Sequence, residues 1–321
     1  MTDRQRRGGF TLLELLIVLL IIGLLVAITA AAVGRYFIVS QNMVTETTIR
    51  KVYARLMAQW ASVIDSAKNE DMNAVFSSST MNAITSMTGG DPSFTRVIYI
   101  KLRLAQEFPI SMAEVYSPPA GMPGKVSYQR LPNPIPTVNG YNIESSALLL
   151  ASIREARHGL ATAPDDFGSS VKTVMVGTTP VDYLVDGWGT PLNFYRWPTG
   201  STELDALCPA GSTLSNTAST IVRDPQDPDG RLFGLWTNPT NRALFESWCH
   251  SLHQGSGVSI TPYAYYTFPT IVSAGPDLQF GLSTTPPAGI GTLDMSTISG
   301  TTYDGDNIYS FRLVPPGAKG S

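Results

Sequence analysis

The chain has 321 residues, room for one large domain or two modest ones with a core each. Its 22 Lys and Arg against 25 Asp and Glu leave a formal net charge of −3, which excludes a generally basic nucleic-acid binder. A 43% apolar fraction excludes a mainly disordered chain, and two cysteines exclude a disulfide scaffold.

Residues 1–9 (MTDRQRRGG) form a basic stub carrying Arg4, Arg6 and Arg7. From Phe10 to Val33 the chain is apolar, and Glu14 is its only charge. At a rise of about 1.5 Å per residue, this run crosses a hydrocarbon core about 30 Å thick. Leu and Ile fill most positions, so no amphipathic face is visible, and the segment is expected in lipid or in a bundle of like helices. Basic residues before it predict a cytoplasmic N-terminus and a remainder outside the cytoplasm. Three readings compete. A cleaved secretory signal would use Ala30-x-Ala32 as its site, but the run is long and carries an early carboxylate. A plain membrane anchor explains the length and not Glu14. An unpaired carboxylate in lipid costs about 3 kcal/mol even on gentle scales, so a partner is expected.

The third reading supplies one. Gly8-Gly9-Phe10-Thr11-Leu12-Leu13-Glu14 resembles the processing motif of type IV prepilins and type II secretion pseudopilins. The resemblance implies that prepilin peptidase removes leader 1–9 between Gly9 and Phe10, and that Phe10 is then N-methylated. It further implies that Glu14 pairs with the N-terminal ammonium of a neighbouring subunit during assembly. Two charges buried together in a low dielectric make a register device, because either alone is strongly unfavourable. The implied fold class is α+β, type IV pilin-like: a long N-terminal helix with an apolar first half, packed on a globular head with a small antiparallel sheet and extra helices. Implied partners are other pilin or pseudopilin subunits, prepilin peptidase and an inner-membrane assembly platform. The implied location is the bacterial inner membrane, single-pass, with a periplasmic head that joins a surface filament after assembly. In one respect the chain departs from the pattern. Ala31 stands where many members carry a helix-loosening proline, with Gly34 soon after.

On this reading residues 10–34 are the membrane and filament-core helix, 35–68 its amphipathic continuation, and 69–321 the head. Ile49, Val52, Tyr53, Leu56, Trp60, Val63, Ile64 and Ala67 recur at helical spacing. Residues 69–92 are rich in Ser, Thr, Asn and Met and read as a mostly irregular connection with room for a short helix. A helix is expected over 93–108, stopped by Pro109. A Pro/Gly-rich loop or extended segment is expected over 117–142, and a helix over 144–157 with Gly159 as its stop. The helix-rich part, 69–170, looks like an insertion that enlarges the head. Over 171–321 the texture changes to short strand-like runs: Val171–Val176, Leu192–Trp197, Thr267–Val272 and Ile308–Leu313.

Asp186-Gly187-Trp188-Gly189-Thr190-Pro191-Leu192-Asn193-Phe194-Tyr195 resembles the Asp-Pro-Trp-Gly-Asn-Pro-Tyr signature of the major pseudopilin, where the Trp is structural. Gly187, Thr190 and Leu192 depart from it. Chemistry alone also favours a turn anchor. The arms Ser273-Ala274-Gly275-Pro276-Asp277 and Asp304-Gly305-Asp306-Asn307 resemble the last loop of the same family, which binds calcium in several members. The resemblance implies Asp277, Asp304 and Asp306 as ligands, with Ser273 adding a backbone oxygen. Calcium takes six to eight hard oxygens, which acidic residues spaced by glycine supply. The alternative is that these aspartates only form turns. A long Gly/Thr/Ser/Pro stretch separates the arms where the family has a short loop.

Asp224, Asp227 and Asp229 form a second acidic loop, read as solvated; His250 and His253 lack further zinc ligands. Cys208 and Cys249 lie outside the cytoplasm on this topology and are expected to pair, with roughly 3–4 kcal/mol of stabilisation in the chain-entropy picture. Two separate buried thiols are the alternative. No nucleophile elbow or phosphate-binding loop is present, so a structural rather than enzymatic role is expected. Trp188, Trp197, Trp236, Trp248, Tyr263, Tyr265 and Tyr266 read as core and turn anchors in preference to a ligand surface. The reading is therefore a filament subunit of the secretion branch, with an enlarged head that leaves a minor or specialised role open. The alternative is a membrane-tethered extracytoplasmic binding protein for carbohydrate or protein.

Overall fold

The computed structural model describes residues 12–118, 121–155, 167–198, 213–216, 219–222, 269–282 and 305–314, with isolated positions between 226 and 248. One helix, α1 (Leu12–Asn69), runs 58 residues without a break. It passes straight through Ala31 and Gly34, where a Cβ would meet nothing. Its first half and its second half have different surroundings. Residues 12–39 are all exposed, whereas Ile49, Val52, Leu56, Trp60, Val63 and Ala67 are buried.

The buried face of α1 meets helices built from polar, loop-like sequence. After α2 (Met72–Val75), α3 (Ser78–Thr88) starts at Ser77, whose hydroxyl accepts from the Thr80 amide. It stops at Gly89, which takes the left-handed conformation (φ 62°) that a glycine adopts without strain. The irregular connection expected over 69–92 is thus corrected to two short helices: caps and a few core residues (Ile84, Met87) override a composition poor in helix formers. Asp91 caps α4 (Pro92–Glu107) by accepting from Ser93 and Phe94, and Pro92 sits where no helical N–H is needed. This helix ends just before Pro109, as the sequence predicts. It is buried on nearly all sides and packs along α1, with Trp60 and Phe108 ring centroids 5.0 Å apart. Such a side chain contributes roughly 1.5–3 kcal/mol by leaving water.

Next come α5 (Met112–Tyr116) and α6 (Val126–Gln129), then a hairpin of β1 (Thr137–Val138) and β2 (Tyr141–Asn142). Its turn is Asn139-Gly140, both at positive φ, as a two-residue primed turn requires. The helix expected over 144–157 is α7 (Glu144–Arg154). It lies on a second hairpin, β3 (Val171–Val176) with β4 (Thr179–Leu184). A three-stranded antiparallel sheet follows, in the order β5 (Asn193–Tyr195), β8 (Thr270–Ser273), β9 (Ile308–Tyr309), while β6 (Thr213–Asn216) and β7 (Ser219–Val222) pair apart from it. The run Ile308–Leu313 is corrected: after two residues of strand it turns into α8 (Ser310–Leu313). The reason is local. Ser310 Oγ accepts the Ile271 amide at 3.0 Å, so a side chain ends the ladder where the backbone would have continued it. The molecule is an α+β protein with a long apolar N-terminal helix, small antiparallel sheets and further helices, the architecture the resemblance implies.

Candidate functional site

Two features have functional geometry: the bare half of α1, and the loops that grip this helix where the head begins. Glu14 stands in the first turn of α1 among Leu12, Leu13, Leu15 and Leu16. An 18-residue window of this helix has a mean hydropathy of 3.1, and none of it is buried by the head. Thr29 returns its hydroxyl to the Leu25 carbonyl at 2.6 Å, so its polar atom is satisfied inside the apolar run. Gly9 and Phe10, the expected cleavage and methylation positions, lie outside the described residues.

Three distal segments hold α1 between Gln41 and Arg50. The Gly187 amide donates to Thr45 Oγ1 at 2.8 Å, and that hydroxyl donates to the Gln41 carbonyl at 2.8 Å. Thr48 and Ser170 share a hydroxyl hydrogen bond of 2.8 Å, and Arg50 Nη1 donates to the Leu313 carbonyl at 2.7 Å. Gly187 rests directly on the helix backbone: a Cβ there would overlap the Gln41 carbonyl oxygen. That close approach is why the first motif carries glycine at this position.

Asp186 shapes the turn. Its Oδ1 accepts from the Trp188 amide at 3.0 Å and the Thr190 amide at 2.8 Å, and its Oδ2 accepts from Ser273 Oγ at 2.7 Å. Ser273 Oγ in turn accepts the Gly275 amide at 3.1 Å. The two distal motifs are thereby joined through one buried carboxylate. Burial pushes the Asp186 carboxyl above the usual carboxylate range, although its hydrogen bonds pull the other way. Trp188 is half-buried beside this turn.

The second motif also closes on the C-terminal arm. Asp306 Oδ2 accepts the Asp277 amide at 3.1 Å, and Asp277 Oδ1 accepts the Gln279 amide at 2.8 Å. Gly275 (φ 72°) lies against the Asp306 carbonyl so closely that a methyl group would overlap it. Asn307 is buried; its Nδ2 donates to the Phe280 carbonyl at 2.6 Å, and its Oδ1 has no hydrogen-bond partner among the described residues. The structure therefore brings Asp277 and Asp306 together, while Asp304 lies outside the described residues. Among the described residues no three acidic, His or Cys side chains gather as a metal cluster.

Other sequence candidates fall elsewhere. Asp227, expected in a solvated loop, is buried and accepts the Arg231 and Leu232 amides, so it forms a turn. Trp197 is buried against Arg196, whose guanidinium carbon is 4.3 Å from its ring centroid, and Trp248 is partly buried at the core edge. Cys208, Cys249, His250, His253, Trp236, Tyr263, Tyr265, Tyr266, Asp224 and the Gly159 stop lie outside the described residues. Sequence reasoning missed the buried pair of Arg196 and Glu114. Its oxygens receive Nη1 at 2.6 Å and Nη2 at 3.0 Å, and both side chains are almost wholly buried. No local pattern announces such a pair, since its members are far apart in the chain.

Residues 4–30 match the prokaryotic N-terminal methylation motif of type IV pilin-like proteins. No curated protein matches the chain, and no solved structure does.

Proposed function

We propose that this chain is a filament subunit, and specifically a pseudopilin of a type II protein secretion system. The observation that carries the reading is the bare apolar half of α1 with one carboxylate, Glu14, in its first turn. The match at residues 4–30 includes Glu14 and the greater part of that stretch, and supports a pilin-like, prepilin-peptidase-processed protein that assembles with other pilin subunits. Cleavage between Gly9 and Phe10 frees an ammonium group, and methylation of Phe10 retains its charge. Glu14 of one copy then meets that ammonium of the next copy as their helices stagger. Before assembly the helix stays in the inner membrane with the head in the periplasm; after assembly it lies in the filament interior. The secretion branch is favoured by the two distal motifs and by their meeting beside the collar that Gly187, Ser170 and Leu313 form on α1. Mass spectrometry of the mature protein tests the processing: the chain should start at Phe10 with one added methyl, and a start at Met1 or after Ala32 overturns it. A Glu14→Ala variant should remain in the membrane and fail to assemble, whereas a tethered receptor would keep its function.

The C-terminal loops are proposed as a calcium site. Asp277 and Asp306 supply carboxylates, and Asp304 and backbone oxygens would complete the six to eight ligands calcium takes. The buried Asn307 oxygen beside Asp306 has hydrogen-bonding capacity to spare. A ligand that binds only the native state raises apparent stability by mass action. Full-length protein in detergent should therefore melt higher with calcium than with chelator, and identical midpoints would remove the site.

A further inference from the structure

Hairpin β3–β4 has one closed edge and one open edge. Its strands are joined by Gly177-Thr178, with Gly177 at φ 61°, and Val176 faces Thr179 across the turn. In a two-residue hairpin that closing pair exchanges both backbone hydrogen bonds, and the pattern alternates from there. Lys172, Val174 and Val176 therefore direct their backbone groups toward β4, and Val171, Thr173 and Met175 direct theirs away. The same count turns Pro180 outward on β4, where it lacks an N–H. Further along that edge, the Leu184 amide donates to Ser146 Oγ at 2.8 Å, and its carbonyl accepts from the Leu192 amide at 3.0 Å. The edge of β4 is thus blocked or used.

The edge of β3 is not. The Val171 amide donates to the Gly168 carbonyl, but the Thr173 and Met175 amides make no hydrogen bond among the described residues. Thr173 and Met175 are exposed, Met175 to 60%, and β3 carries no proline or bulge. Edges of this kind are templates for another strand, and proteins commonly block them. Among the described residues only the opposite edge is blocked.

We infer that β3 pairs antiparallel with β3 of a second copy, centred on Thr173. The strand is self-complementary about that residue. Thr173 meets Thr173 of the second copy, Val171 meets Met175, and Lys172 meets Val174, so no two lysines are directly opposed. The Thr173 amides and carbonyls bond to each other, and each Met175 amide reaches the opposite Val171 carbonyl, about four hydrogen bonds in all. Such a two-fold contact closes at two copies and cannot propagate. It therefore joins subunits apart from the growth axis of a filament. The inference does not rest on the filament reading, because it makes no use of Glu14 or of N-terminal processing.

The test uses full-length protein in detergent. Hydrogen exchange at the Thr173 and Met175 amides should slow as protein concentration rises. Met175→Pro should abolish the slowing at Thr173. This substitution removes an outward N–H and leaves the β3–β4 bonds intact, as Pro180 already does directly opposite. Met175→Thr, which keeps the N–H, should retain the slowing. Glu14→Ala should retain it too, which separates this contact from helix-driven assembly. Thr173→Cys provides a second readout, because a hydrogen-bonded antiparallel pair sets Cα atoms about 5.5 Å apart, within disulfide reach. Mild oxidation should give a dimer well above the wild-type level, and combining it with Met175→Pro should return it to that level. Exchange that does not vary with concentration, a dimer that survives Met175→Pro, or a Thr173→Cys bridge to a different polypeptide would each overturn the inference.

Discussion

The carboxylate of Asp186 holds its own turn, the Ser273 arm and, through Gly187, the surface of α1. Its pKa is raised by burial above the ordinary 3.8. A raised acid binds its proton more tightly in the folded state, so its contribution to stability falls as pH rises from about the ordinary carboxylate range through the folded value. Asp182 behaves oppositely. Burial opposes its ionisation, but hydrogen bonds from Thr173 and Arg154 outweigh that and lower its pKa. Its contribution is present above the ordinary value and is lost as pH falls through the folded one. Denaturant melts across acidic pH should therefore separate the two. Asp186→Asn keeps an acceptor for both backbone amides and should remove the component that weakens with rising pH. Asp182→Asn should remove the component that weakens on acidification. An unchanged pH profile in Asp186→Asn would show that the buried carboxyl does not titrate as argued.

Among the described elements, α4 carries a heavy polar load for a buried helix. Lys101 and Glu107 lie on it without exposure, and its C-terminal end meets the pair of Arg196 and Glu114. Arg196 Nη1 also donates to the Phe108 carbonyl at 2.8 Å, and Glu114 Oε2 accepts the Ile110 amide at 2.9 Å. The pair thus closes the backbone after α4 as well as neutralising itself. Removing one partner leaves a buried charge. Glu114→Ala should cost about 3–5 kcal/mol in denaturant melts, while replacing both residues with apolar side chains should cost much less. Equal losses from the two would sink this account. Hydropathy does not reveal such a contact, whose members are 82 positions apart. The elements legible in the sequence are those with local signals: α1 by apolar spacing, α4 by its stop at Pro109, and β3 by a short Val-rich run bounded by turn residues. Asn139-Gly140 is an equally clear turn signal inside the loop or extended segment expected over 117–142, but its strands are two residues long, too short to show an alternating pattern. For β4, Pro180 and Asp182 hide the strand pattern, although both fit their places in it. Likewise the site was half legible. Asp186, Gly187, Gly275, Asp277 and Asp306 stand out as motif residues, but Thr45, Thr48 and Ser170 look like ordinary polar residues until the fold brings them to α1.

At the scale of the molecule, the division that matters is where α1 ceases to be bare. Composition places it near Gly34, where the uninterrupted apolar run ends. Burial places it later: residues 35–39 are exposed, 40–42 are partly covered, and Thr45 is the first fully buried residue. Between the two limits lie Tyr36, Phe37, Ile38 and Val39, apolar and uncovered by the head. Among the described residues no side chain before Ser40 is buried, so a chain starting at Ser40 keeps every core side chain of α1. Ser40 then becomes the natural N-cap of the shortened helix, able to accept one of the amides left without a partner. The collar remains, because Gln41, Thr45, Thr48 and Arg50 are retained. Residues 40–321 should therefore fold as a soluble head whose melting midpoint lies close to that of the full chain in detergent. Starting at residue 49 instead removes Thr45 and Thr48, freeing Gly187 and Ser170 from the helix. Each lost hydrogen bond is worth about 1 kcal/mol and leaves a polar group stranded beneath the turn, so this fragment should melt well below the longer one. If the longer fragment is unfolded while the full chain is folded, the bare half of α1 supports the head, and the separation of bare helix from folded head fails.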